Sequence, residues 1–177
     1  MHLVRNSKDA MVAISSLSDP IIQEYLPGDE FTCTVAIYNG IVSDVVCLQR
    51  ELRAGDTFRA FPVKNVKIEE YVKAIAIRLK INGSCNFQLR LNGVGRPVLF
   101  EINSRFSGTT PFCALLGFNP VEFCLKHHLG MPYESDVDYS KVVVRHWCEV
   151  VVEKEQLGQL RASGHGAIDN VTLSSML

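Results

Sequence analysis

The segment of this sequence best suited to chemistry is the strand-like run from Phe100 to Asn103. Glu101 and Asn103 lie two residues apart and alternate with the apolar Phe100 and Ile102. Because successive side chains of a strand point to opposite faces, Glu101 and Asn103 should share one face while their apolar neighbours enter a core. Oxygen ligands held on a rigid strand suit Mg²⁺. Taken alone, the two residues are equally consistent with a solvated strand face.

A second strand-like segment, 84–91, lies just upstream and favours the metal interpretation. It alternates in the same way, and its polar positions are Asn86, Gln88 and Arg90. The connector 92–97 (Asn-Gly-Val-Gly-Arg-Pro) is rich in turn formers, which is typical of a β-hairpin.

The pairing register of this hairpin decides whether the polar residues meet. If the connector occupies 92–97 and the register is constant, the opposed pairs are Gln88 with Glu101, Asn86 with Asn103, and Leu91 with Val98. Cross-strand partners share a face, so both strands would contribute oxygen donors to one polar patch. A slip of one residue would destroy the patch, so the register is itself a prediction.

Composition limits the class of protein. The 177 residues suffice for one domain or one lobe of a larger protein, and 47% hydrophobic with 21% charged residues is globular. The net charge of −1 gives no sign of a nucleic-acid surface, no apolar run is long enough to cross a membrane, and the N-terminus lacks a signal-peptide core. Six cysteines without a CxxC pair indicate reduced, buried thiols and a cytoplasmic location, and a catalytic cysteine is disfavoured.

The expected order of elements is mixed. A helix after Ser7 should precede a short strand over 21–26, a hairpin of 31–38 with 41–48, a loop over 50–62, a helix over 66–80, the 84–103 hairpin, a helix over 120–128 and a strand over 142–152. The fold class is therefore predicted to be α+β, an antiparallel β-sheet with packed helices.

Arg50, Arg53 and Arg59 lie in the expected loop, where they could either be solvated or contact phosphates. The sequence lacks a GxGxxG, Walker or nucleophile-elbow motif, so phosphates would have to bind a sheet face through metal and arginine.

Several motifs in order resemble the ATP-grasp superfamily, most closely its carbamoyl-phosphate-synthase-like and carboxylate–amine ligase branch. They are 23–31 (Gln-Glu-Tyr-Leu-Pro-Gly-Asp-Glu-Phe), 86–88 (Asn-Phe-Gln), 101–105 (Glu-Ile-Asn-Ser-Arg) and 107–109 (Ser-Gly-Thr). The resemblance covers roughly residues 20–130 and implies the C-terminal half of the ATP-grasp fold. It implies residues 1–130 as the C-terminal lobe, and 131–177 as an extension with one strand and a loosely ordered tail.

The resemblance also implies where a nucleotide would bind. Glu24, Tyr25 and Leu26 match the hinge strand whose backbone contacts adenine. Glu30 matches the residue that accepts hydrogen bonds from the ribose hydroxyls.

The resemblance further implies a metal and phosphate site. Gln88, Glu101 and Asn103 match the positions that hold two magnesium ions, with Mn²⁺ as an alternative, between the ATP phosphates. Arg105 matches the catalytic arginine near the transferring phosphoryl group. The segment 107–109 lies where the family positions its acyl substrate.

The implied activity is that of an ATP-dependent ligase. Family members phosphorylate a carboxylate and let an amine or ammonia displace the phosphate, so the expected partners are a small-molecule carboxylate and an amine or ammonia. One departure is Ser104, where many relatives have proline. A larger one is that the chain begins where the lysine-bearing N-terminal lobe would end, so that lobe is expected in cis or in trans. A non-catalytic binding or assembly module is the alternative, and a homodimer is left open.

Overall fold

The computed structural model describes residues 2–146, 150–151, 153–164 and 172–173. The chain divides into two compact units, Met1–Val143 and Val144–Leu177. The helices are α1 (Ser7–Ser15), α2 (Val66–Arg78), α3 (Thr110–Leu115), α4 (Pro120–His128) and α5 (Lys154–Ser163). The strands are β1 (Glu30–Tyr38), β2 (Ile41–Val42), β3 (Val46–Arg53), β4 (Asp56–Pro62), β5 (Gly83–Leu91), β6 (Pro97–Asn103), β7 (Val143–Val144), β8 (Val150–Val151) and β9 (Thr172–Leu173).

One sheet organises the first unit. Its strand order is β6-β5-β1-β3-β4-β7, and β2 pairs with β1 off this path. The pairings among β1 to β6 are antiparallel. The predicted α+β class with an antiparallel sheet and packed helices is confirmed.

Helix α2 covers one face of the sheet. The Asn65 side chain caps it by accepting a hydrogen bond from the Ile68 amide at 3.3 Å, and Glu69 Oε1 accepts one from the Asn65 amide at 3.2 Å. Val72 and Ala76, one turn apart, are fully buried against the sheet. This helical spacing is the pattern from which the helix was predicted.

Helices α3 and α4 belong to the core of the opposite face. The Asn119 side chain accepts hydrogen bonds from two amides of the first turn of α4, and Pro120 occupies its first position, as predicted. Phe112, Phe118 and Phe123 pack against apolar side chains of β1, β3 and β4.

Three predicted elements in the N-terminal half need correction. The predicted strand over 41–48 is interrupted, because residues 43–45 lie in no strand between β2 and β3. Residues 21–26 form no strand, and the side chains of Ile21 and Ile22 are 88% and 68% exposed. Residues 50–62 do not form a loop, because β3 and β4 build a hairpin whose turn places Ala54 and Gly55 at positive φ. The loop prediction rested on the three arginines of this segment, which lie on the two strands instead.

The C-terminal predictions also need correction. The predicted strand over 142–152 is interrupted, because residues 145–146 lie in no strand between β7 and β8. Residues 147–149 and 152 of that prediction lie outside the described residues. Helix α5 forms within the segment predicted to be a loosely ordered tail, and residues 165–171 and 174–177 lie outside the described residues.

The cysteines behave as core residues. Cys33, Cys47, Cys85 and Cys113 are buried and free, and Cys124 is half-buried. Burial raises the pKa of Cys85 and Cys113 to about 11, so both thiols stay protonated at neutral pH. These buried positions suit packing better than nucleophilic chemistry. Cys148 lies outside the described residues.

We expect Gly117→Ala to destabilise the fold strongly. Gly117 has φ +105°, and a Cβ there would lie 2.0 Å from the Asp136 carbonyl oxygen. Backbone strain and the clash together should cost about 3 kcal/mol of unfolding free energy in urea titrations. Gly130→Ala is the matched control, because its φ is +69° but its Cβ meets open space. It should cost about 1–2 kcal/mol, and equal losses for both would contradict the clash.

Candidate nucleotide and metal site

The β5–β6 hairpin brings together the residues predicted to hold metal. Gln88 pairs with Glu101 and Asn86 with Asn103, so this part of the predicted register is confirmed. The predicted pairing of Leu91 with Val98 is wrong, because Leu91 pairs with Pro97. The register shifts between Gln88 and Leu89, where Phe100 is the extra residue of β6.

The turn explains how two registers fit into one hairpin. The Asn92 amide donates to the Arg96 carbonyl at 2.9 Å, and the Asn92 side chain accepts from the amides of Val94 and Arg96. The connector is therefore one residue shorter than predicted. The bulge at Phe100 absorbs that difference before the strand reaches Glu101, which leaves the polar pairs opposed.

The polar side chains extend across four neighbouring strands. Phe87 and Leu89 of β5 and Phe31 of β1 pack in the core with α2, so the residues alternating with them face the other side. We call this surface the polar face; its members are Glu30 of β1, Arg50 of β3, Gln88 and Arg90 of β5, and Glu101 and Asn103 of β6.

Glu30 lies at the centre of an ion-pair network on the polar face. Its Oε1 accepts from Arg50 Nε at 2.7 Å and also from Arg50 Nη2, and its Oε2 accepts from Arg90 Nη2 at 2.5 Å. The Glu30 and Arg50 side chains are only 13% and 12% exposed. Arg50 Nη2 also donates to Gln88 Oε1 at 2.7 Å. Two guanidinium groups on one carboxylate leave a surplus positive charge beside Gln88.

Arg90 also connects the predicted hinge to the polar face. Its Nη1 donates to the carbonyl oxygens of Leu26 at 3.4 Å and Gly28 at 3.1 Å. Gly28 packs directly on β5, where a Cβ would lie 2.1 Å from the Leu91 carbonyl oxygen. Leu26 is buried, whereas Glu24 and Tyr25 are exposed. The structure therefore joins Leu26 to Glu30 through Arg90.

The end of β6 carries the second part of the predicted site. Asn103 Nδ2 donates to Glu101 Oε1 at 2.7 Å, and Arg105 Nη2 donates to Asn103 Oδ1 at 3.4 Å. Glu101 and Arg105 are both exposed. A continuous chain of hydrogen bonds thus joins the predicted catalytic arginine to two of the predicted metal ligands.

The donor set suits a hard cation that shares its shell with other oxygens. Gln88, Glu101 and Asn103 offer one carboxylate and two amide oxygens, which are Mg²⁺-type ligands. Gln88 Oε1, Glu101 Oε1 and Asn103 Oδ1 each accept a hydrogen bond from a protein group here. Within the described residues, no group of three or more His, Cys, Asp or Glu side chains forms a metal site. These side chains are therefore of the kind that binds Mg²⁺, and phosphate oxygens would have to complete the coordination shell of the ion.

The segment 107–109, predicted to lie near the acyl substrate, mainly bonds to itself. Ser107 Oγ and Thr109 Oγ1 lie 2.8 Å apart, and the Ser107 amide donates to Thr110 Oγ1 at 3.0 Å. Thr109 is buried at the start of α3. The hydroxyl groups therefore order the turn between β6 and α3.

The structure gives Arg50 and Arg90 contacts that were not foreseen from the sequence. Arg50 was expected in a loop, yet Val46, Leu48 and Arg50 alternate on one face of β3. That alternation was the available signal. Arg53 and Arg59 instead lie over the Phe58 ring, at 5.5 and 5.8 Å from its centroid, away from the polar face.

A comparison with known protein families identifies the family of this chain. The profile of the family described as "ATP-grasp in the biosynthetic pathway with Ter operon" matches residues 16–151. The chain belongs to the ATP-grasp superfamily. The matched range includes the predicted hinge over 24–26, the polar face and Arg105.

Solved structures share the fold at low sequence identity. An N5-carboxyaminoimidazole ribonucleotide synthetase crystallised with ADP has a TM-score of 0.63 and 13% identity, covering 91% of this chain and 45% of its own. The Thermus thermophilus enzyme of that name has a TM-score of 0.61 and 18% identity, covering 76% and 40%. An L-amino acid ligase from Bacillus licheniformis has a TM-score of 0.53 and 16% identity, covering 73% and 34%.

This ATP-grasp chain spans less than half the length of those proteins. No curated protein matches its sequence significantly. Among the described residues, no helix is long and apolar enough to span a bilayer.

We expect Glu30→Gln to destabilise this ATP-grasp chain by about 2–4 kcal/mol in urea unfolding. The reason is that two guanidinium groups, Arg50 nearly buried and Arg90 about a third exposed, would lose their counter-ion. The matched control is Glu51→Gln, since Glu51 pairs with Arg59 at 2.6 Å with both side chains about half exposed. That change should stay within about 0.5 kcal/mol. Equal losses in the two variants would show that Glu30 does not hold the arginines together.

Proposed function

We propose that this chain is the ATP- and Mg²⁺-binding lobe of an ATP-dependent carboxylate–amine ligase that acts through an acyl phosphate. The pairing of Gln88 with Glu101 and of Asn86 with Asn103 carries the proposal, because it gathers three oxygen ligands on one sheet face. The ATP-grasp membership supports it. A neighbour crystallised with ADP also supports nucleotide binding.

The nucleoside would lie at the edge where the hinge meets the polar face. In this proposal the backbone of 24–26 contacts adenine, and Arg90 fixes the Leu26 carbonyl beside it. Glu30 Oε1 accepts from two donors and Oε2 from one. A carboxylate offers about four acceptor positions, so one remains on Oε2 for a ribose hydroxyl.

The phosphates would lie toward the end of β6. Gln88, Glu101 and Asn103 would hold Mg²⁺, which when bound neutralises charge on the phosphates and bridges their oxygens. Arg105, exposed and joined to Asn103, would contact the transferring phosphoryl group. Phosphoryl transfer needs mainly positioning and charge stabilisation, which a metal-binding strand and an arginine supply.

The substrates are proposed by class only. A small-molecule carboxylate would accept the phosphoryl group near 107–109, and an amine or ammonia would then displace phosphate. The remaining part of the nucleotide site would come from an N-terminal lobe, in cis or in trans. The proposed location is the cytoplasm, where ATP is available.

A non-catalytic binding or assembly module is the second candidate. It is favoured by the exposed apolar residues of the N-terminal segment, since Met11, Val12 and Tyr25 are 68%, 69% and 62% exposed. A surface of this kind marks a contact with another lobe or protein. Activity measurements distinguish the two candidates.

Glu101→Gln in the full-length protein should lower ATP turnover at least about 100-fold, because the carboxylate of the metal set becomes neutral. Folding should be preserved, since Glu101 is exposed and an amide oxygen can still accept from Asn103. Steady-state ATP hydrolysis and thermal melting measure the two effects. Glu70→Gln, an exposed change on α2, is the charge-matched control. Turnover retained in Glu101→Gln would refute the ligase proposal.

The 177-residue chain alone should bind Mg·ATP weakly, with a Kd well above about 1 μM by calorimetry. The physical reason is that the sheet face contacts the nucleotide from one side only, so much of it stays hydrated. A submicromolar Kd for this chain would show that the polar face and hinge suffice for binding and that an opposing lobe is not required.

A further inference from the structure

Arg50 donates a hydrogen bond to the side-chain oxygen of Gln88, the atom with which Gln88 would bind a metal ion. The bond from Arg50 Nη2 to Gln88 Oε1 is 2.7 Å long, and the same guanidinium is anchored on Glu30. A guanidinium has donors only, so it fixes the carboxamide with its oxygen toward β3. The oxygen of Gln88 is therefore turned toward an arginine two strands away, although its cross-strand partner is Glu101.

A cation on that oxygen would also be close to a positive charge. A magnesium–oxygen bond is about 2.1 Å, so a metal sharing Gln88 Oε1 with Arg50 would lie within about 5 Å of Nη2. The two positive charges of Arg50 and Arg90 already exceed the single negative charge of Glu30, and the side chains of Arg50 and Glu30 are only slightly exposed. At such distances a divalent cation and a guanidinium repel each other strongly unless an anion lies between them.

We propose that Arg50 is a positioning residue that excludes a divalent cation from Gln88 until the phosphates of a nucleotide arrive. The inference rests on the proposed nucleotide-binding function. It adds that metal and nucleotide enter together, because the free protein uses Arg50 in place of the metal. Phosphate oxygens remove the exclusion by neutralising the guanidinium and by completing the metal shell.

Glu30 limits the replacement of Arg50 by a metal ion to a small movement of one side chain. It keeps Arg50 tethered through Nε at 2.7 Å even when Nη2 leaves Gln88. Glu30 itself remains paired with Arg90 throughout. A short movement of one edge of the Arg50 guanidinium is therefore enough to free the Gln88 oxygen, and no strand has to shift.

The direct test measures metal binding without nucleotide. Mn²⁺ is titrated into the 177-residue protein, and paramagnetic broadening of the backbone amide signals of 86–90 and 101–103 gives the affinity. In Arg50→Met, Mn²⁺ should bind roughly tenfold more tightly than in the wild-type protein, the effect of freeing a charge-assisted hydrogen bond. Arg53→Met is the matched control, because Arg53 belongs to the same hairpin but contacts Phe58 instead. It should leave the affinity within about twofold.

A double variant tests whether the gain in Mn²⁺ affinity depends on Gln88. In Arg50→Met/Gln88→Leu the tenfold gain should vanish, because the metal no longer has the Gln88 oxygen. A gain that persists would place the metal elsewhere, for example on Glu30, and would overturn the proposal. An unchanged or weaker affinity in Arg50→Met would also overturn it, since a merely structural Arg50 does not oppose metal binding.

The wild-type protein provides a second measurement should Arg50→Met fail to fold. The Arg50 Nε–H signal should stay in place with Mg²⁺ alone and shift when ADP is added with Mg²⁺. A shift with Mg²⁺ alone would overturn the exclusion. Mg·ADP binding that leaves this signal unmoved would refute only the Arg50 proposal. The Glu101→Gln turnover test, in contrast, decides the proposed function.

Discussion

The carboxylate of Glu30 is the interaction on which the rest of the site depends. It is the only anion in contact with two guanidinium groups from flanking strands within the described polar face, and it is nearly buried. Through Arg90 it fixes the backbone of Leu26 and Gly28, and through Arg50 it reaches Gln88. The predicted hinge residue Leu26, the predicted ribose-binding Glu30 and the predicted metal ligand Gln88 thus share one electrostatic centre. Removing charge from such a cluster leaves arginines uncompensated at low exposure, which is costly.

The second constraint is the backbone irregularity in β6. A strand side chain changes face with every residue, so a slip of one position would turn Glu101 away from Gln88. The bulge at Phe100 compensates for the short turn at 92–96 and restores the opposed pairs before the strand ends. Bulges near functional sites commonly re-aim side chains in this way. In this ATP-grasp chain the irregularity preserves the polar face rather than disturbing it.

Some parts of the fold could be predicted from local patterns because local physics decides them. The cap at Asn65 and the helical spacing of α2 are encoded within one turn of sequence, and so is the Asn119-Pro120 start of α4. The β3–β4 hairpin could not be predicted as easily, because Arg50, Arg53 and Arg59 give its strands the charged composition of a loop. The strand over 21–26 failed for the opposite reason: its apolar residues have no neighbouring strand to pair with in the described part of the chain. A strand requires a partner, whereas a helix satisfies its own backbone.

The sequence by itself determined the residue types of the site, the order of its motifs and the resemblance to the ATP-grasp superfamily. It also determined that Glu101 and Asn103 share a face, since strand alternation is a property of the backbone alone. Only the tertiary structure decided that Arg50 and Arg90, 40 residues apart in the chain, meet on Glu30 and that Arg50 takes the oxygen of Gln88. Those contacts join three strands, and their partners follow from sheet order and register. Local sequence does not specify these, because they depend on the free energy of the whole packed sheet.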